Sequence, residues 1–160
     1  MTSHNEYEKI KEAEDIVIAE WRHTKWITLS SFSFMIPAVV ALDHKLYDHT
    51  IILFLTSIIS ANYWRKATYS WRRNLDLIFA KISFIFYLYN GVKYVNTIPD
   101  MISGYGGLIL IIVLYYLSDE LLKIKNERWY ECHIGFHLWM VTEQLLIIKN
   151  IIKENYLICN

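Results

Sequence analysis

Two histidines four residues apart, His133 and His137, stand in the run Glu131-Cys132-His133-Ile134-Gly135-Phe136-His137. On a helix, side chains at i and i+4 lie one above the other, so two imidazoles at this spacing can turn their ring nitrogens toward a single metal ion. The same spacing also occurs in a helix whose histidines only pack, so further donors must reach the same place. Two other polar residues stand at the edges of apolar runs, Ser60 in Ser60-Ala61-Asn62-Tyr63-Trp64 and Asp76 in Leu75-Asp76. Lys81 and Glu143 sit deeper within such runs. They read either as a structural pair or as the lining of a polar part of a cavity.

The elements that must position these residues follow from composition. The chain has 160 residues, with sixteen basic and sixteen acidic side chains that cancel, and nothing in this balance points to nucleic acid as a partner. Its apolar share is 54% and its aromatic share 16%, high for a soluble domain. No charge occurs from Trp26 to Leu42, from Thr50 to Trp64 or from Met101 to Ser118. Runs of this length suit membrane-spanning helices, in which every backbone donor and acceptor is satisfied within the segment. The expected fold is therefore all-α, a polytopic transmembrane helix bundle of about five spans in residues 26–160. An N-terminal amphipathic helix in residues 1–25 should precede it. That helix has a capping-box pattern, Ser3 with Glu6, and apolar residues Tyr7, Ile10, Val17, Ile18 and Trp21 at helical spacing. It reads as a cover for its own bundle or as a membrane-surface or partner-binding helix, the first being simpler.

The spans are expected at about 26–42 with a kink at Pro37, 50–64, 75–90 ended by Gly91, a fourth to about 117, and 133–152. Thr97-Ile98-Pro99-Asp100 has the cap, proline and acid of a helix start. The Ser103-Gly104-Tyr105-Gly106-Gly107 cluster reads as close helix packing more readily than as a ligand contact. Cys132 and Cys159 suggest no disulfide framework. No cleavable signal is seen in the first twenty residues, so the first span should act as the insertion signal.

Basic residues near helix ends set orientation. Arg22, Lys25, Arg65, Lys66, Arg72, Arg73, Lys123, Lys125 and Arg128 fall on the side of the N-terminus and outnumber Lys45, Lys93, Lys149 and Lys153 on the other. This balance predicts an integral membrane protein with its N-terminus cytosolic and its C-terminus outside or lumenal. It also places Ser60, Asp76, His133 and His137 at one membrane level. His44 and His49 fall in the opposite loop, and His23 lies on the same side as the site. Asp76 needs a partner at this depth, either the histidine site or a cation such as a loop arginine or Lys81.

The ordered motifs Ser60-x-x-x-Trp64, Leu75-Asp76 and His133-x-x-x-His137 resemble the CREST superfamily, which includes the progestin and adipoQ (adiponectin) receptors and the alkaline ceramidases. In that family a Ser-x-x-x-His, an Asp opening the next helix and a His-x-x-x-His in the last helix form a zinc site just inside the membrane. The segment from His23 to Thr28 also resembles the receptors' approach to their first helix. Ser60, Asp76, His133 and His137 match the pattern; Trp64 stands where the first metal-binding histidine is found, and five spans replace seven. The resemblance implies zinc as the cofactor and a membrane lipid as the substrate. His133 and His137 would be ligands, Asp76 a ligand or the base, and Ser60 a hydrogen-bond partner of the site. His23 or Asp76 would complete the ligand set. Zinc lowers the pKa of bound water to about 7 and polarises a carbonyl, chemistry suited to hydrolysing a lipid amide or ester. The alternative is a non-enzymatic membrane scaffold or receptor-like interaction protein of the same fold, favoured by the missing histidine.

Overall fold

The chain enters its first helix at Trp21, and a computed structural model describes residues 17–159. The expected N-terminal amphipathic helix lies outside the described residues up to position 16, while residues 21–25 form the first turns of α1. That helix, α1, runs Trp21–Asp43, with a tighter 3₁₀ turn at Phe32–Phe34. Pro37 explains the turn: a proline in a helix meets the carbonyl four residues before it, here that of Ser33, and the local backbone must adjust. Four helices follow, α2 Tyr47–Trp64, α3 Trp71–Tyr94, α4 Ile98–Lys123 and α5 Trp129–Cys159.

Short connections make successive helices antiparallel. The α1–α2 and α4–α5 turns use the same device. Lys45 and Lys125 adopt left-handed φ values of 60° and 55°, and the following amides, of Leu46 and Asn126, bond back to the carbonyls of Ala41 and Leu121 at 2.9 Å. This is the Schellman closure, built here on lysine instead of glycine. The start of α4 carries the cap expected from sequence, with Thr97 accepting from the Asp100 amide at 3.4 Å and donating to its carboxylate at 2.8 Å.

Three helices, α1, α3 and α4, are long and apolar enough to cross a membrane. The other two of the five expected spans, α2 and α5, fall short of that standard. In α2 the first turn carries Asp48 and His49, and α5 carries Glu131, His133, His137, Glu143 and Gln144. The fold is all-helical among the described residues, apart from one isolated backbone bridge between Val17 and Thr68.

At 31 residues α5 is the longest helix and the central one, packing on α1, α3 and α4, while α2 closes the other side against α1 and α3. One buried cluster joins Ala38 and Ala41 of α1, Leu53 of α2, Tyr87 of α3 and Ile147, Ile148 and Ile151 of α5. A second, at the opposite end, joins Ile27, Tyr63, Trp64, Ala67 and Trp129. This second cluster lies where α1 and α5 begin and α2 ends. The large apolar residues of α4 and α3 that remain exposed, such as Ile102, Ile109, Ile82 and Ile85, face away from the bundle, as lipid-facing positions do.

Several boundaries differ from the sequence reading. Gly91 does not end α3, which continues to Tyr94; a Cβ at Gly91 would meet Ile147 at 3.4 Å, so this glycine serves close packing on α5. His49 is not a loop residue. It sits buried in the first turn of α2, its Nδ1 3.2 Å from the Tyr87 hydroxyl.

Candidate functional site

The helix ends at one pole of the bundle bring the sequence-selected residues into two linked groups. The first is the histidine pair. His133 and His137 stack edge to face with ring centroids 4.9 Å apart, as i, i+4 neighbours on a straight helix must. Each has a serine at its Nδ1: Ser30 of α1 lies 2.9 Å from His137, and Ser118 of α4 lies 3.2 Å from His133. His137 is 3% exposed.

The Ser30 hydroxyl lies 2.9 Å from two possible acceptors, the Ile27 carbonyl and His137 Nδ1. When its single proton goes to Ile27, His137 Nδ1–H is the donor toward Ser30 and Nε2 carries the lone pair. Ser30 occupies this position because Thr28, Ser30, Ser31 and Ser33 each turn their hydroxyls back to carbonyls three or four residues earlier, just before the 3₁₀ turn.

The second group starts from the neighbouring residue. Ser31 Oγ lies 3.2 Å from Ser60 Oγ as donor while also pointing at the Ile27 carbonyl, and the Ser60 side chain hydrogen-bonds the Asp76 carboxylate. The Ser57 hydroxyl donates to the Ser31 carbonyl at 3.0 Å and locks α2 against α1. Asp76 makes no ion pair among the described residues, contrary to the reading that pairs it with Lys81 or a loop arginine. The Arg73 guanidinium is spent on the Tyr63 hydroxyl, and Lys81 is exposed on the outer face of α3. Lys81 and Glu143 do not pair either. Glu143 instead lines a cleft between α3, α4 and α5, the second of the two readings that the sequence left open.

Aromatic rings wall the histidine pair. Trp64 lies edge to face on His133 with centroids 4.6 Å apart, Trp129 stands 6.5 Å from the same ring, and Phe34 covers His137 at 5.3 Å. The Trp64 indole N–H is buried with no hydrogen-bond partner, an orphaned donor at the edge of the site. His23 stands apart from the pair, stacked on Tyr130 with centroids 4.9 Å apart. Sequence reasoning missed Ser30, Ser31 and Ser118. The only signal for the first two was the polar run Ser30-Ser31-Phe32-Ser33 inside an otherwise apolar span.

The donor chemistry suits a metal at two positions. An imidazole that donates Nδ1–H to an oxygen presents Nε2 to a metal, the usual arrangement of ligand and supporting group. No group of three His, Cys, Asp or Glu side chains placed to hold a metal ion is found among the described residues. Asp76 joins Ser60, and the residue beside His133 is the indole of Trp64. Comparison of the chain with protein families, with curated proteins and with solved structures finds no match.

Proposed function

We propose that this protein is a membrane-embedded hydrolase of lipid amide or ester bonds, with its reaction centre at the pole of the bundle where α1 and α5 begin. The observation that carries the reading is the Ser30–His137 contact, which anchors a buried imidazole by one of its two ring nitrogens. Anchoring of this kind fits a group that must hold a ligand or a proton in one orientation.

In this proposal His133 and His137 would hold a zinc ion, the remaining donors coming from water and substrate. Zinc would supply an activated water and polarise the scissile carbonyl. Asp76 is the proton acceptor, its carboxylate oriented by Ser60, which is oriented in turn by Ser31. Ser30 and Ser118 hold the two imidazole rings. Trp64, Trp129 and Phe34 exclude bulk water and offer an apolar wall to an acyl chain, and the Trp64 N–H is a donor for a substrate oxygen. The orientation proposed is N-terminus cytosolic, which puts the centre at the cytosolic membrane face.

The activity test is release of fatty acid from N-acyl and O-acyl lipids in mixed micelles by purified protein. Wild type is expected to turn over one of the two classes, and Asp76→Asn and His137→Ala to lose that turnover about 100-fold or more. Wild type and Asp76→Asn releasing fatty acid at the same rate would refute the assignment. A second reading, a non-enzymatic scaffold of the same architecture, is favoured by Trp64 itself, because an indole cannot complete a three-imidazole set. It predicts no turnover and unchanged stability in Asp76→Asn.

A further inference from the structure

A second polar place lies outside the histidine site. α3 and α4 are joined by a short loop but pack on α5 rather than on each other, and the cleft between them is a half-open groove. Its walls are apolar: Tyr87, Leu88 and Val92 on α3 and Met101, Leu108 and Ile111 on α4. Its floor is α5, which presents two polar side chains in succession, Glu143 and Gln144.

The Gln144 amide is unsatisfied and Glu143 has no cation partner among the described residues. Gln144 is 1% exposed, and both its amide nitrogen and its amide oxygen lack a hydrogen-bond partner. Glu143 is 9% exposed and makes no ion pair among the described residues; Lys81 is exposed on α3, and Lys149 is directed to Asp100 at 3.9 Å. Room for the carboxylate is built in. A Cβ added at Gly107 would lie 1.8 Å from Glu143 Oε1, and one at Gly104 would lie 3.8 Å from Oε2. The carboxylate therefore fits only because position 107 is glycine. A buried amide with both atoms unpaired, beside a carboxylate without a cation, in a cleft open to the lipid-facing side, is a place prepared for a polar head on an apolar chain.

The required head follows from the donors and acceptors. Gln144 offers one acceptor and an NH₂ donor, and Glu143 offers an acceptor. A primary carboxamide matches all three. One of its N–H bonds goes to the Gln144 oxygen, its carbonyl accepts from the Gln144 nitrogen, and its second N–H goes to Glu143. An ester has no donor, an ammonium has no acceptor, and a carboxylate is repelled by Glu143. We propose that the α3–α4 cleft binds a long-chain primary carboxamide, its head on Gln144 and Glu143 and its chain along the apolar walls. Binding draws the Gln144 amide outward into the cleft by a side-chain rotation.

The test is equilibrium binding of radiolabelled palmitamide to the full chain in detergent micelles, with palmitate, methyl palmitate and hexadecylamine as competitors. Saturable binding is expected, with each competitor weaker by about tenfold or more, because a site built to hydrogen-bond a group rejects analogues that lack it. Gln144→Leu is expected to weaken palmitamide by a similar factor. Leu108→Trp, which fills the cleft and leaves both polar residues in place, is expected to abolish binding. His137→Ala is expected to leave binding unchanged, which keeps this site separate from the proposed hydrolytic centre. Absence of saturable binding, equal competition by methyl palmitate, or binding unchanged in Leu108→Trp would overturn the proposal. Should Gln144→Leu fail to fold, Leu108→Trp and the competitor series decide it.

Discussion

Ser30 of α1 and His137 of α5, 107 positions apart in the chain, meet with Oγ 2.9 Å from Nδ1. The contact joins α1 to α5 and anchors the imidazole by one ring nitrogen, with the serine hydroxyl also 2.9 Å from the Ile27 carbonyl. Ser30→Ala removes that partner and leaves a buried ring nitrogen unpaired. The variant is expected to be destabilised by about 1–3 kcal/mol in a thermal melt in detergent. Its affinity for added zinc is expected to fall about 10- to 100-fold in a competition titration, the usual effect of removing a ligand's supporting group.

Ser31, Ser60 and Asp76 form one relay, so their substitutions should not add. Ser31→Ala and Ser60→Ala, singly and together, are expected to show a coupling energy between about 0.5 and 3 kcal/mol in a double-mutant cycle of stability. Strict additivity would mean that the Ser31–Ser60 contact at 3.2 Å contributes nothing.

Much of this arrangement was legible in the sequence because it depends on periodicity and charge. Uncharged runs located α1, α2 and α4, and the order of helix ends placed Ser60, Asp76, His133 and His137 at one pole. What the sequence could not give was the direction of each side chain around its helix. Asp76 is level with the histidines but is directed to Ser60, and Ser30 meets His137 across 107 positions of chain. For Glu143 the sequence left two readings open, an ion pair with Lys81 or the lining of a cavity. The pair does not form because Lys81 lies on the outer face of α3 while Glu143 is seated over Gly107. The start of α4 was readable in full, since Thr97, Pro99 and Asp100 act locally.

The glycines of α4 provide a contrast on one helix. A methyl at Gly107 would overlap Glu143, whereas a methyl at Gly106 meets nothing within 4 Å. Gly107→Ala is expected to destabilise by about 1–3 kcal/mol through overpacking. Gly106→Ala is expected to be neutral or to stabilise by up to about 1 kcal/mol through helix propensity. Matched thermal melts of the two variants check the seating of Glu143, and equal effects would contradict it.

Trp64→His replaces the orphaned indole with a third imidazole beside His133. Truncation of a buried ring costs packing, so the apo protein is expected to lose about 2–4 kcal/mol. Zinc is expected to bind about tenfold tighter or better than in wild type, since three protein ligands are the norm for catalytic zinc. The check is a thermal melt with and without metal, in which added zinc should recover part of the lost stability.

The central claim is that His133 and His137 hold a zinc ion, and elemental analysis of detergent-purified protein tests it most directly. The account predicts about one zinc per chain in wild type, lost in both His133→Ala and His137→Ala while each variant remains folded. Substoichiometric zinc in wild type, unchanged in both variants, would contradict it and leave the histidine pair as a packing feature of α5.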